Sequence, residues 1–375
     1  MRLLTHIVLY CAAMLSLIGC NIYSNVGEAD GCVAENTMRV TFNISSGNPE
    51  FQQTKASSYG PPSLENGTEW ESYVNIAKED YLFYLFDQNG VFQEILIVQS
   101  ASTTDNINYN ITADVRGKYK NFTIVALINW DASAWNMLSS GFAYPILEKG
   151  VSKIEDIWAA TAGLRVYDSN SKNFLPSQTT LIPMYGARTY SLADSAFKSD
   201  EIDLGTFYLI RALAKIDVYV SSNSGITLDK VQLNGFSNSF HCAPVGMTAM
   251  DDEWDQATDE TMNAAVSQDS YSPSTLDFIK IEENLYRLYV PEYPNKRSDI
   301  EPSTISVSMT KDGVYKGGTI FFEGKENTTS GTTATLNILR NNYYKFCITG
   351  INDYETNMVI DVVPFDNVSN SLVFN

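Results

Sequence analysis

His6 and His241 are the two histidines in a chain of 375 residues. Their scarcity limits the chemistry, because imidazole zinc sites and Ser/His/Asp or Cys/His nucleophile systems both need histidine among suitable partners. A carboxylate-pair mechanism survives this test. Its candidate dyad is Glu282-Glu283, and the run Asp251-Asp252-Glu253 with Asp255 is a candidate cation site. The run lacks the spacing of a calcium loop, and both groups read better as solvated acids. No glycine-rich phosphate loop opens a helix and no G-x-S-x-G elbow occurs, so the sequence assigns no catalytic residue, metal ligand or cofactor. Trp70, Trp130, Trp135, Trp158 and Trp254 would stack on sugars if they converged. Isolated tryptophans in a strand-rich chain are more often packing residues.

Charge narrows the partners further. With 44 acidic residues against 25 basic ones, a net charge of -19 repels nucleic-acid phosphates and anionic headgroups alike. Hydrophobic residues at 44% and aromatic ones at 12% are enough to build a core, and the length suggests two domains.

The first residues read as an export signal. Arg2 precedes an apolar run over 3–18 that is shorter than the roughly 20 residues needed to span a bilayer. Leu17-Ile18-Gly19-Cys20 resembles the lipobox of bacterial lipoproteins. That resemblance implies removal of 1–19 and acylation of Cys20, with each buried methylene worth roughly 0.8 kcal/mol of membrane attachment. His6 and Cys11 leave with the signal, and the polar stretch 20–36 reads as a lipid-attached tether. Cys32, Cys242 and Cys347 then remain without metal-ligand spacing. One disulfide plus a free thiol and three free thiols are both open, although Cys347 sits in an apolar strand pattern and reads as core.

Beyond the tether, periodicity two dominates. Met38, Val40, Phe42 and Ile44 alternate with Arg39, Thr41 and Asn43, predicting a strand with one buried face. Residues 46–79 form a long polar loop. Apolar runs at 81–86 and 91–98 flank Asn89-Gly90 and predict a hairpin. Strands follow at 107–115 and 122–128, the latter continuous enough to be buried on both faces. Ser152-Lys153-Ile154-Glu155 predicts a capping box opening a short helix through Trp158. Further strands are expected at 204–220, 227–233, 285–290, 305–309, 315–322, 335–338, 343–348 and 358–363, with Asp312-Gly313 as a second hairpin turn. Segments 167–200 and 243–278 read as polar surface excursions. No internal repeat is visible. The spacing fits two tandem antiparallel β-sandwiches, 37–205 and 206–375, with a break near 203–207.

Several strands also carry a family resemblance. Leu209-Ile210-Arg211-Ala212-Leu213-Ala214-Lys215-Ile216-Asp217-Val218 resembles the domain-junction strand of the fimbrillins, the lipoprotein-derived type V pilins of Bacteroidales. Gly67-Thr68-Glu69, Phe86-Asp87-x-Asn89-Gly90, Leu181-Ile182-Pro183-Met184-Tyr185-Gly186, Tyr289-Val290-Pro291-Glu292, Arg340-Asn341-Asn342-Tyr343-Tyr344 and Val363-Pro364-Phe365 follow in family order. The resemblance implies transthyretin-like sandwiches, a non-enzymatic role in surface fimbriae of the outer membrane, and partners that are other fimbrial subunits joined by strand exchange. A host or bacterial surface ligand is a further expected partner. It also implies a removable first strand, here Met38, Val40, Phe42 and Ile44 in a separable edge, and a donor from 358–363 or 371–374. Between Ser45 and Asp80 there is no arginine to match the family's processing site, only Lys55 and Lys78, and Lys55 is the candidate for cleavage. Cys20-Asn21-Ile22-Tyr23 with Cys32 resembles the start of the anchor subunits, which keep their lipid and first strand. The alternative expectation is a glycan-binding outer-membrane lipoprotein that uses the tryptophans.

Overall fold

The alternating stretch that begins at Met38 is a strand in the computed structural model, with its four apolar side chains buried. The structure describes residues 37–46, 70–74, 79–103, 108–135, 143–164, 174–177, 180–222, 224–237, 239–246, 262, 271–325, 333–351 and 356–364. The expectations for Cys20, Cys32, Lys55, Gly67-Thr68-Glu69, the run at 251–255 and the donor stretch 371–374 lie outside them.

The first strands are β1 (Met38–Ser45), β2 (Tyr81–Asp87), β3 (Phe92–Ile95), β4 (Ile97–Thr103), β5 (Asn108–Val115), β6 (Asn121–Ile128), β7 (Ala134–Trp135), β8 (Thr161–Leu164), β9 (Met184–Ser191), β10 (Glu201–Tyr208) and β11 (Ile210–Arg211). One sheet has the order β10-β1-β5-β4 and a second the order β11-β9-β6-β2-β3. The chain turns at Ala212 and Leu213 and continues as β12 (Ala214–Val220), β13 (Ile226–Ser237), β14 (Ser239–His241), β15 (Tyr271–Asp277), β16 (Ile279–Glu282), β17 (Leu285–Val290), β18 (Thr304–Lys311), β19 (Val314–Phe321), β20 (Glu323–Lys325), β21 (Thr333–Thr335), β22 (Asn342–Ile351) and β23 (Thr356–Pro364). These form sheets β16-β17-β12-β22-β23 and β15-β13-β18-β19, a ribbon of β20 and β21, and a small sheet β14-β8-β7 that joins strands from both halves. Two short helices, α1 (Trp130–Ser133) and α2 (Ile154–Ala159), interrupt the strands.

The fold is therefore all-β, with two β-sandwiches in tandem, as the strand spacing and the resemblance both indicate. It is not purely antiparallel. β1 pairs with β10 in parallel, and β12 pairs with β22 in parallel. Each sandwich thus opens with an interior strand that has one parallel and one antiparallel neighbour.

Three apolar clusters account for the layers. One lies between the first two sheets and includes Val40, Phe42, Phe83, Ile111 and Ile124. Another fills the second sandwich around Ile216, Leu288, Ile305 and Phe346. The third covers the outer side of the β6 sheet with α2, Ala212, Leu213, Phe240 and Tyr289, so it spans the junction. The doubly buried β6 follows from this arrangement: Ile124 and Ala126 face the first cluster, and Val125 and Leu127 face the third.

Several expectations are corrected. The run at 91–98 divides at Leu96, because β3 pairs with β2 whereas β4 crosses to pair with β5 in the other sheet. The run at 204–220 resolves into β10, β11 and β12, and 203–207 lies within β10, where a bulge with Gly205 at φ 70° shifts its register against β1 without ending the strand. The excursion 167–200 contains β9, an interior strand with Met184, Tyr185 and Ala187 buried. The excursion 243–278 contains β15. At α2 the cap belongs to Asp156, whose Oδ2 accepts from the Lys153 backbone N–H at 2.8 Å. Ser152 instead accepts from the Glu148 N–H through its Oγ. The turn at 312–313 holds: Asp312 and Gly313 both adopt positive φ, 52° and 76°, as a tight hairpin requires.

Ile216 is fully buried in the interior strand β12. Ile216→Ala should therefore lower stability by about 2–5 kcal/mol in urea unfolding, whereas the exposed Lys280→Ala should change it by less than about 0.5 kcal/mol.

Candidate functional site

Two features stand out: the slot that β1 occupies, and a buried polar cluster at the junction that ties down the end of β1. β1 was expected as a separable edge. It lies inside its sheet, with β10 on one side and β5 on the other, through ladders that run along the strand. Its inward side chains Met38, Val40, Phe42 and Ile44 are each at most 6% exposed. The Phe42 ring meets Phe83 edge-on at 5.1 Å. Burying four such side chains is worth roughly 6–12 kcal/mol, comparable with the stability of a whole domain. An empty slot would therefore not persist, and a strand leaving it must be replaced. Outward, Arg39 pairs with Asp114 at 2.9 Å in solvent, a surface contact of small energetic consequence.

The C-terminal end of β1 is held more firmly. The Leu209 N–H donates to Ser45 O at 2.8 Å. Arg211, fully buried, donates from Nη2 to Ser46 O at 2.9 Å and to Ser72 Oγ at 2.7 Å, and from Nε to Glu71 O at 2.7 Å. Its backbone N–H donates to Asn341 Oδ1 at 3.1 Å. A single guanidinium thus binds the end of β1, the segment 70–74 and the second sandwich.

Around it, alternation places charge on the outer face of β12. Ala214, Ile216 and Val218 point into the second core, so Lys215 and Asp217 point away from it. Both are buried. Lys215 Nζ lies 2.7 Å from Glu71 Oε1, and Tyr289 donates its hydroxyl to the same oxygen. Asp217 accepts a two-pronged pair from Arg287 Nε and Nη2, each at 2.8 Å, and a 2.6 Å bond from the Tyr343 hydroxyl. Arg340 Nη2 donates to Glu292 Oε2 and to His241 O, both at 2.9 Å. Burial pushes the pKa of Lys215 down, against the pull of Glu71, and pushes the Tyr289 and Tyr343 hydroxyls well up. Lys215, Asp217, Arg287, Glu292 and Arg340 are tolerated this deep because each meets an opposite charge, whereas Arg211 is met by neutral oxygen acceptors.

The remaining candidates separate. Trp130 is fully buried, donates its indole N–H to Met184 O at 2.9 Å and packs against Phe240. Trp158 packs against the junction core, and Trp70 meets the Tyr73 ring at 5.2 Å. Trp130 and Trp158 thus pack into the same junction cluster, and the side chains of Trp135 and Trp254 lie outside the described residues. Glu282 ends β16, and Glu283 is exposed in the following turn. Cys242 and Cys347 are buried free thiols, and burial raises the pKa of both. Among the described residues no His/Cys/Asp/Glu group is arranged to hold a metal.

Glu71, Arg287 and Arg340 were not singled out as site residues from the sequence. The available signal was charge within strand patterns, as in Lys215-x-Asp217, which ordinarily marks a solvated face. Their partners lie 48 or more positions away.

Comparison with known proteins gives the fold. No protein-family model and no curated protein matches the sequence. Among solved structures, the tip fimbrial protein Mfa3 from Porphyromonas gingivalis aligns with a TM-score of 0.53 at 11% identity, covering 88% of this chain and 99% of that one. A candidate cell adhesion protein from Parabacteroides distasonis aligns at 0.47 with 14% identity, covering 88% and 98%. The fimbrial anchor protein Mfa2 from Porphyromonas gingivalis aligns at 0.38 with 11% identity, covering 90% and 99%. The likeness to the tip protein places this chain in the same tandem β-sandwich fold.

Two outcomes test the cluster. Arg211→Lys keeps the charge but loses the planar fork, so it should cost on the order of 3 kcal/mol in urea unfolding and raise hydrogen exchange at 44–46. His241 is buried beside Arg340, and burial followed by that charge holds its pKa below the ordinary 6.5. Because the unfolded chain then takes up the proton first, its contribution to stability is present above 6.5 and declines as pH falls below it. His241→Gln should flatten that part of the stability profile, read as urea midpoints at neutral and mildly acidic pH.

Proposed function

We propose that this chain is a non-enzymatic structural component of cell-surface fimbriae. It is a lipoprotein held in the outer membrane by acyl chains on Cys20, it joins other fimbrial subunits by β-strand exchange, and it serves as the retained anchor at the fimbrial base. The observation that carries this reading is the construction of β1, an interior strand whose four buried side chains fill a slot between β10 and β5. Removing such a strand exposes unpaired N–H and C=O groups on both neighbours together with apolar pockets. A strand of matching alternation from another subunit would satisfy both. The fold shared with a tip fimbrial protein supports the same reading.

The anchor role rests on retention of β1: in that role the chain keeps its own slot filled and exchanges by giving a C-terminal strand to the matching slot of the neighbouring subunit. Arg211 ties the end of the strand to the junction, and no arginine lies between Ser45 and Asp80. Lys55 remains the position at which cleavage would convert the chain into a polymerising subunit. The two sandwiches act as the domains, and the chain passes from one to the other at Ala212 and Leu213.

Mass spectrometry of the native protein from outer-membrane fractions tests this directly. An acylated Cys20 N-terminus on chains found within assembled fibres is the expected result. Chains beginning at or beyond Lys55 in detergent-resistant ladders would instead make it a polymerising pilin. Acylated chains absent from every fibre would overturn the fimbrial role in favour of a glycan-binding surface lipoprotein.

A further inference from the structure

Each of the four larger sheets ends on two strands: β10 and β4, β11 and β3, β16 and β23, β15 and β19. Edge strands present backbone N–H and C=O groups to solvent, and natural sheets blunt them with short strands, bulges, proline or charged side chains, lysine above all. Seven of these edges follow that rule. β11 has two residues, and β3 and β16 have four each. The pairings of β10, β4, β15 and β23 with their neighbours are each broken by a register shift, and β15 also contains Pro273. Among these edges β19 alone is long, free of proline and unbroken in register, with Lys316 as its one charged residue. Its eight residues pair with β18 in unbroken register from Val314 to Phe321.

This edge is also apolar. Ile320, Gly318 and Lys316 stand opposite the buried Ile305, Val307 and Met309, so Tyr315, Gly317, Thr319 and Phe321 face outward. Val314, Tyr315 and Phe321 are 54%, 67% and 53% exposed. β19 contains no carboxylate, in a chain whose net charge is -19.

We propose that β19 is the edge through which two copies of this chain join, antiparallel, about a two-fold axis at Gly318. The sequence of the strand fits itself in this register. Tyr315 stands opposite Phe321 at both ends, Gly317 opposite Thr319, and Lys316 opposite Ile320, so no like charges oppose each other. Shifting the axis by one residue to 317 places Phe321 against Gly313, and shifting it to 319 places Phe321 against Gly317, losing the aromatic pairs each time. A two-fold contact needs this kind of self-matching surface, and the product is a continuous sheet formed by the two four-stranded sheets. This pairing is independent of the fimbrial reading, since it leaves the β1 slot untouched. Long-range repulsion between two copies opposes it, and added salt weakens that repulsion.

The test is disulfide trapping in the full-length protein. Chains carrying Gly317→Cys and chains carrying Thr319→Cys are co-expressed and mildly oxidised. Position 317 accepts a side chain: an added Cβ would come no closer than 4.0 Å to Val307 O. Opposed positions lie about 4.5–5.5 Å apart at Cβ, within disulfide reach, whereas like positions are diagonal at about 7–8 Å. The expected result is a crosslinked dimer in the mixture, several-fold above either variant alone, that rises with salt and falls to the parent level when both chains also carry Tyr315→Lys. No excess crosslink in the mixture, or one indifferent to Tyr315→Lys, overturns the proposal. Sedimentation of the parent chain in detergent gives a second reading without new cysteines. Dimers that Phe321→Lys converts to monomers are expected, and a monomeric parent, or one captured by a different protein in place of its own copy, refutes the pairing.

Discussion

Arg211 sits where three parts of the chain meet. Its guanidinium binds backbone carbonyls at Ser46 and Glu71, and its backbone N–H binds Asn341. Around it, Lys215 with Glu71, Arg287 with Asp217 and Arg340 with Glu292 place six further charged groups in a dry junction. Taking such groups from water costs several kcal/mol per ion, and pairing returns little more than that cost. The net stabilisation is therefore modest, but the cost of any other arrangement is high. If the sandwiches slid past one another, or if the segment 70–74 left its place, several buried charges would lose their partners at once. The cluster defines one relative position for the chain turn at Ala212 and Leu213, for the outer face of β12 and for the end of β1. The apolar cluster spanning the junction contributes area without that selectivity.

The landmarks that suggested a family resemblance are largely the components of this junction. Arg211, Lys215 and Asp217 come from one motif, Tyr289 and Glu292 from another, and Arg340, Asn341 and Tyr343 from a third. Their order in the sequence is visible, whereas their convergence is not, because the bonds join residues 48 to 218 positions apart. Local pattern reading treats a charged residue alternating with apolar ones as the wet face of a strand. At β12 that face is covered, and the rule fails where the structure is most specific.

Elsewhere, legibility followed how local the cause was. β1, β6 and the turn at Asp312-Gly313 could be read because alternation, continuous apolarity and a two-residue turn are short-range signals. The crossing at Leu96 was not legible, since an apolar run reads the same whether it stays in one sheet or passes to the other. β9 was hidden in a stretch read as polar surface. Its pairing with β6 and β11 is a tertiary fact. At α2 the position of the cap moved by one residue because Asp156 competes successfully for the Lys153 N–H.

The two sandwiches repeat a topology that their sequences do not repeat, and the equivalent opening strands are fixed in place very differently. β1 and β12 both open a sandwich, and both lie inside a sheet with one parallel neighbour. β12 continues from β11 after two residues, and its outer face is fixed by Lys215 and Asp217. It cannot leave without carrying buried charges into the core or breaking the connection between halves. β1 has an exposed Arg39 on its outer face, and apart from its ladders and apolar face it is fixed through Ser45 and Ser46 at one end. An incoming strand need reproduce only a period-two apolar face and a ladder, which any alternating segment of about eight residues can supply. In the proposed anchor β1 stays in this slot, held by Arg211 at the end that would have to loosen first, and an incoming strand would enter the first sandwich only in a chain cut at Lys55.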